Sequence, residues 1–545
     1  MTAREWHTVR RPGRLDGPAR LALALGLAGL GYRVALTLLT VPATNSDEAT
    51  FGLAALHIAN GREFPVLLYG QQYMGVLESY LAAPLFAVFG AGWRLLRLPL
   101  LLLWALFGYL TYRLTRRLYS PWLAAVTVGL LALGSERVIR DQLTAVGGRP
   151  EIKAAVAGLL LLALWLARRR GRHRLLGFAG YGLLTGLCVW SDWLALPYLA
   201  TVGLVLLAGC GRELFGRAGL ALVTGFLVGV APLVVANLTA PPGEDSLTVL
   251  LTVSGGEPAE PSLSARLRGA VLLGIPLATG VCTPQRCGGA AQSWGVLYLL
   301  LVAAAIGLAV AGLRRHRTDR LRYAGQLALA AAAALTIAGY ARSPYAAQAP
   351  LESARYLSIL QISLPAVLWP VWLAARPTRQ RGGAPPDQRP GGDRPDRRRV
   401  LAVPAVGLLA LLTVACVLTS AALVARIGEI RAEERRAREL ADTVRAAGLR
   451  HVYAEYWICN RLTFTTREEV VCAVLDDRLR AGQDRYLPYR WRVWAAERPG
   501  FVFVAGAPGE AALRTYLRDR DIAATVTEVA GYRIYRPAST VQPWR

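Results

Sequence analysis

The chain has 545 residues, 54% of them hydrophobic and 18% charged, and a net charge of +26. A soluble protein of this size carries about 25% charged residues, and here the apolar residues fall in long blocks, so a water-soluble multidomain protein is a poor fit. The charge does not indicate a nucleic-acid partner either: the arginines sit in short runs between apolar blocks, at 113–117, 168–174, 212–217, 314–322 and 376–399, as the positive-inside rule expects of cytoplasmic loops.

The first apolar block, 21–41, follows a basic start (Arg4, Arg10, Arg11, Arg14). It is too long for a signal-peptide core and reads as a retained helix with a cytoplasmic N-terminus. Similar blocks at 154–167, 218–238, 294–313, 326–341 and 400–424 suit helices that span a hydrocarbon core of about 30 Å. They lack the alternation of a barrel wall. Alternating from an inside start gives about eleven crossings, centred near residues 30, 105, 128, 159, 182, 202, 228, 303, 332, 364 and 412. Every arginine run then falls inside. Segments 42–94, 135–150, 190–193, 237–290, 342–354 and everything after 426 fall outside.

The first outer loop, 42–94, begins with adjacent acids, Asp47 and Glu48, where the first helix leaves the membrane. A carboxylate there can act as a general base on a hydroxyl, or the pair can cap the helix that follows. Glu78 lies in an otherwise apolar segment, where an ionisable group is costly without a partner or a cavity. Residues 77–89 are apolar but too short to cross, which suggests an interfacial helix. In the second outer loop, Arg149 and Lys153, the only lysine of the chain, flank Glu151. They can neutralise a phosphate or simply anchor the interface. Ser191, Asp192 and Trp193 mark another outer helix end, where Trp is common in any case.

Four cysteines form close pairs in outer segments, Cys282 with Cys287 and Cys459 with Cys472, while Cys188, Cys210 and Cys416 lie in apolar helices. An oxidising compartment favours a disulfide for each pair. A zinc site is the rival for Cys282 and Cys287, without a nearby set to complete four ligands. Arg355 and Tyr356 open the tenth helix on its outer side; Arg355 can bind phosphate through a fork of hydrogen bonds or pair with Glu352. The 376–399 segment, rich in Pro, Gly and Arg, reads as a disordered cytoplasmic linker. After 426 the pattern changes to a charged amphipathic helix at 428–447, strand-like runs at 451–456, 470–474 and 501–504, a helix at 510–518, and strands at 524–529 and 532–535. That mixture predicts a small α/β domain. The expected organisation is thus a membrane domain over 1–425 and an extracytoplasmic domain over 426–545.

The loop sequence DEAxxGLxAxHIxxG…P…GQxYMGxLE resembles the GT-C superfamily of membrane glycosyltransferases, of the protein O-mannosyltransferase and lipid A aminoarabinose transferase type. The tail segment YWICNRLTF and the GGxPE site (Gly147, Gly148, Glu151) fit the same bacterial branch. The resemblance implies an all-α polytopic bundle, with Asp47 as base, Glu48 its neighbour in the motif and Glu78 orienting the acceptor. It implies substrate contacts from Gln71, Tyr73, Arg149, Glu151, Lys153, Arg355 and Tyr356. The implied partners are a polyprenyl-phosphate sugar donor in a groove of the bundle, a hydroxyl on an envelope glycan, lipid or protein, and membrane lipids. Metal use varies in the superfamily, so a divalent cation is not assignable. A transporter or flippase for a lipid-linked sugar is the alternative, but the two repeated halves with broken helices that it would show are not visible in the sequence.

Overall fold

The computed structural model describes residues 15–169, 171, 173–255, 261–376 and 397–543. The basic N-terminal residues and most of the 376–399 linker lie outside the described residues. Among those described, eight helices are long and apolar enough to cross a membrane. They are Gly17–Leu38, Trp93–Leu118, Trp193–Phe215, Arg217–Thr239, Ala290–Arg315, Arg317–Arg342, Pro350–Ala375 and Ala402–Ala446. A ninth arises if the bent pair Pro121–Ala132 and Glu136–Leu143 is one span. Helices also stand at the two remaining expected centres, Pro150–Leu166 and Arg174–Ser191, but are not among the eight. The protein is therefore multi-pass; the expected eleven crossings meet eight or nine by length and apolarity.

In chain order the bundle begins with α1 (Gly17–Leu38), α2 (Ser46–Ala59), the hairpin β1 (Leu67–Leu68) and β2 (Gln71–Gly75), α3 (Leu77–Phe89), α4 (Trp93–Leu118), α5 (Pro121–Ala132), α6 (Glu136–Leu143), α7 (Pro150–Leu166), α8 (Arg174–Ser191), α9 (Leu196–Cys210) and α10 (Arg217–Thr239). The chain turns by 91° between α5 and α6. Such a break frees carbonyls that lipid cannot satisfy. Arg33 of α1, fully buried, meets that demand. Its guanidinium donates to the carbonyls of Leu131 (3.0 Å) and Ala132 (2.7 Å), binds Gln142 of α6 through Nε (2.9 Å) and lies over the Trp104 ring. One side chain thus fixes the direction of α6. Elsewhere, α8 and α10 meet through Gly182, Gly186, Gly225 and Gly229, where an added Cβ would lie 1.9–2.4 Å from a carbonyl oxygen of the facing helix; this is small-residue packing at four-residue spacing.

The helix Ile427–Ala446 leads into a five-stranded sheet built from β3 (His451–Ala454), β4 (Val471–Val474), β5 (Gly500–Val504), β6 (Ala524–Val529) and β7 (Tyr532–Pro537). The order is β4-β3-β5-β7-β6. β3 pairs parallel with β4 and β5, while β7 pairs antiparallel with β5 and β6.

Both expected cysteine pairs are disulfides, each with Cα atoms 5.1 Å apart; the other three cysteines are buried. Cys282 bonds to Cys287 across a tight turn in which Thr283 and Arg286 pair, so neither thiolate is left to hold zinc. Cys459–Cys472 ties the helix Tyr456–Thr465 to β4. That helix lies against α2: Ser46 Oγ donates to the Tyr456 carbonyl (2.6 Å), and Asn460 Nδ2 to Thr50 Oγ1 (2.9 Å). Phe464 fills the space over Gly52, where a Cβ would come within 2.7 Å of its ring, and packs edge-on against Trp93. The sheet domain is thereby seated on α2 and the start of α4.

Candidate active site

Asn45, not Asp47 or Glu48, caps α2: its side-chain oxygen accepts from Glu48 N at 2.9 Å. This frees both acids of the first turn for other roles. Glu48 is completely buried and forms a two-pronged pair with Arg97 of α4, Nε to Oε1 at 2.7 Å and Nη2 to Oε2 at 2.6 Å. Its carboxylate joins α2 to α4, an environment unlike that of its neighbour Asp47. Asp47 is different. Its side chain is 26% exposed. Oδ1 accepts from Arg485 Nη2 (3.0 Å) and from the Tyr456 hydroxyl, both in the sheet domain. Oδ2 has no partner among the described residues.

Glu78, at the start of α3, is buried, and its Oε2 accepts from Gly147 N at 3.0 Å. Glu151 Oε1 accepts from Gly148 N (2.9 Å) and Ser191 Oγ (2.6 Å). The two carboxyls interact across the glycine turn; burial, and then Glu151, push the Glu78 carboxyl well up. Gly147 and Gly148 have φ of 75° and 69°, the left-handed region that disfavours side chains. A Cβ on Gly148 would strike Asp192 at 2.3 Å. Glu78 and Glu151 therefore hold the turn that begins α7.

Beyond that turn the charges gather. Arg149 Nη1 binds Asp141 Oδ1 (3.0 Å), and Arg137 Nη2 reaches the same oxygen (3.3 Å). Lys153 Nζ and Arg355 Nε are buried without a hydrogen-bond partner. Buried polar atoms are rarely left so. Arg355 makes no pair with Glu352; it lies beside Tyr356 (3.4 Å from Nη2 to the hydroxyl) and within electrostatic reach of Asp47 and Asp141. Arg149 is in turn within reach of Arg355 and Asp192, and Lys153 of Asp141, Arg149 and Glu151. Tyr73, whose hydroxyl accepts from Gln71 (3.3 Å), is within reach of Tyr356, Arg485, Asp192 and Arg355. Burial pushes the Asp192 carboxyl up to about 7. Residues 47, 73, 141, 149, 153, 192, 355 and 485, from seven separate segments, thus form one charged cluster. An apolar cavity bordered by Val138, Trp294, Tyr298 and Leu412 lies apart from it, without any of these residues in its lining. Among the described residues, no group of three His, Cys, Asp or Glu side chains is arranged to hold a metal ion.

The sheet-domain members, Tyr456 and Arg485, had no signal of their own in the sequence beyond the placing of Tyr456 in the YWICNRLTF segment.

No family model matches the chain, and no curated protein matches it by sequence. Solved structures do match in fold. ArnT from Cupriavidus metallidurans bound to undecaprenyl phosphate superposes with a TM-score of 0.54 at 14% identity, covering 95% of this chain and 97% of that chain. Its apo state gives 0.53 at 13% identity over the same shares. The chain shares the fold of that protein over 95% of its length.

Proposed function

We propose that this protein is an inverting membrane glycosyltransferase that moves a sugar from a polyprenyl-phosphate carrier to a hydroxyl of a cell-envelope acceptor. The observation that supports it is the cluster: one carboxylate with an open oxygen, Asp47, in the same group as two buried cations, Lys153 and Arg355, whose Nζ and Nε have no hydrogen-bond partner. Asp47 takes the acceptor proton. The acceptor oxygen forms its bond to the anomeric carbon as the bond from that carbon to the phosphate oxygen breaks, and the electron pair leaves with the phosphate. Arg149, Lys153 and Arg355 stabilise that departing charge. Gln71, Tyr73 and Tyr356 line the approach, and Glu78 and Glu151 fix the turn carrying Arg149. Undecaprenyl phosphate, bound by the fold relative, is the carrier class this reading carries over. The eleven-crossing topology, with the N-terminus and the 376–399 linker inside and residues 426–545 outside at the plasma membrane, belongs to the same proposal.

The test is a panel of undecaprenyl-phosphate pentoses and hexoses presented to the purified protein in nanodiscs with a cell-envelope extract as acceptor. Transfer should appear with at least one donor and fall about 10²–10⁴-fold in Asp47→Asn, with undecaprenyl phosphate binding retained. Near-normal transfer in that variant removes Asp47 as the base. No transfer from any donor, together with movement of the intact lipid-linked sugar across vesicles, would favour the flippase reading. Tag accessibility in spheroplasts checks the topology: a tail shielded from added protease, with the linker cut instead, contradicts it.

A further inference from the structure

A base that removes a proton from a substrate needs one oxygen aimed and the other held. Asp47 Oδ1 is held, and entirely by the sheet domain: Arg485 Nη2 at 3.0 Å and the Tyr456 hydroxyl. Arg485 is itself fixed at all three nitrogens. Nε donates to the Tyr456 hydroxyl at 2.8 Å, Nη1 to the Gly70 carbonyl at 3.4 Å, and Nη2 to Asp47. A guanidinium bound along its whole fork has little rotational freedom left.

Two further observations show that this contact is built into the fold. The hairpin turn between β1 and β2 packs directly on the Arg485 backbone: Gly70 has φ of 65°, and a Cβ there would lie 3.1 Å from Arg485 Cα. Tyr456 opens a helix that the Cys459–Cys472 disulfide fastens to β4 and that Ser46 and Asn460 fasten to α2. Burial and the neighbouring Asp47 both push the Tyr456 phenol up, so its hydroxyl stays protonated and donates. The donors on Oδ1 are therefore rigid in the membrane domain's frame, although both come from the C-terminal sheet domain.

We infer that Tyr456 and Arg485 are positioning residues for Asp47: the sheet domain completes the reaction centre by holding Oδ1 so that Oδ2 faces the acceptor hydroxyl. This rests on the reading of Asp47 as the base. It gives the sheet domain a part in the chemical step, distinct from holding an acceptor or covering the site.

The experiment uses the full-length protein in nanodiscs with the undecaprenyl-phosphate sugar that the panel identifies, and measures undecaprenyl phosphate binding alongside. A misplaced reacting group costs on the order of 10²-fold. Arg485→Gln should therefore lower kcat by about 10- to 100-fold while undecaprenyl phosphate affinity and donor KM stay near wild type. Arg485→Lys should recover part of the loss, and millimolar guanidinium should partly restore Arg485→Ala. Tyr456→Phe, which removes only a hydroxyl, should lower kcat in the same sense and keeps the test open if an Arg485 variant fails to fold. Near-normal kcat in both Arg485→Gln and Tyr456→Phe overturns the inference. So does a parallel loss of undecaprenyl phosphate affinity in Arg485→Gln, which would make Arg485 a phosphate ligand. If Asp47→Asn collapses transfer while these variants do not, only the positioning role is lost; if Asp47→Asn is active, the base assignment falls and the positioning role with it.

Discussion

Replacing Glu48 with Gln separates a reactive acid from a structural one. The Glu48–Arg97 pair is completely buried on both sides, and Arg97 Nη1 already lacks a partner. Ala49, Leu96 and Leu100 are fully buried nearby in one hydrophobic cluster, and the further charge within electrostatic reach of both partners is the buried Glu434. Glu48→Gln keeps the shape but leaves a guanidinium in that setting without its counter-charge. Breaking a buried pair from one side costs about 3–5 kcal/mol, whereas replacing both partners by apolar residues of similar volume is often neutral or better. The expected pattern is therefore strong destabilisation in Glu48→Gln, a similar loss in Arg97→Met, and recovery in the double variant Glu48→Leu/Arg97→Met. Denaturation of each variant in mixed micelles, titrated with sodium dodecyl sulfate, gives the stabilities; transfer measured on the folded fraction gives the activities. The double variant should transfer sugar at near the wild-type rate. If Glu48→Gln is as stable as wild type, the pair does not lock α2 to α4. If the double variant regains stability yet stays inactive, Glu48 takes part in the chemistry and the structural assignment is wrong.

Reduction of Cys459–Cys472 should loosen the helix that carries Tyr456. Closing a loop of about 15 residues contributes about 3 kcal/mol in the chain-entropy model, so both thiols should resist alkylation until reductant is added, and transfer should then fall. Gly148→Ala should cost about 1–2 kcal/mol for its left-handed backbone and about 1–3 kcal/mol more for displacing Asp192, with weaker undecaprenyl phosphate binding; wild-type stability would show that the turn relaxes. Acid should release the sheet domain from the first loop. Against the opposing effect of burial, hydrogen bonds from His57, Arg62 and Tyr489 hold Glu468 down at about 2, below an unfolded value of about 4.3. A depressed carboxyl contributes stability that is present above about pH 4.3 and lost as pH falls towards about 2. Pepsin cleavage of the domain should rise through that window in the wild type and be already high and flatter in Glu468→Gln; identical profiles would count against it.

Much of the fold could be read because a membrane imposes rules that act along the chain. Hydropathy and arginine runs located helices near all eleven expected centres, and alternation marked five of the sheet-domain strands within a residue or two. What the sequence concealed was tertiary. Arg33 interrupts a block that reads as almost uncharged, and its reason for being there is the carbonyls of Leu131 and Ala132, about a hundred residues away. The bend that exposes those carbonyls leads into α6, a helix in what reads as an outer loop. The hairpin at 67–75 and the helices Tyr456–Thr465 and Leu487–Trp494 carry mixed patterns whose buried faces are set by the partner they dock on.

The candidate site was half legible for the same reason. Asp47, Glu78, Glu151, Lys153 and Arg355 stood out singly, because an ionisable group at membrane depth needs an explanation wherever it occurs. Which of them can react is decided by what each one touches. Two adjacent acids that a motif treats as a unit have opposite environments: Glu48 is enclosed with Arg97, and Asp47 keeps one oxygen open. The partners that make this difference for Asp47 lie 409 and 438 residues further along the chain, beyond any local pattern. A helical turn places successive side chains about 100° apart, so one residue's step along α2 was enough to turn Glu48 into the bundle and Asp47 towards the sheet domain. On the proposed reading of Asp47 as the base, its setting depends on the docking of the C-terminal domain on α2, and the substitutions that weaken that docking, at Ser46, Asn460 or Gly70, should affect transfer without touching a single charged group of the cluster.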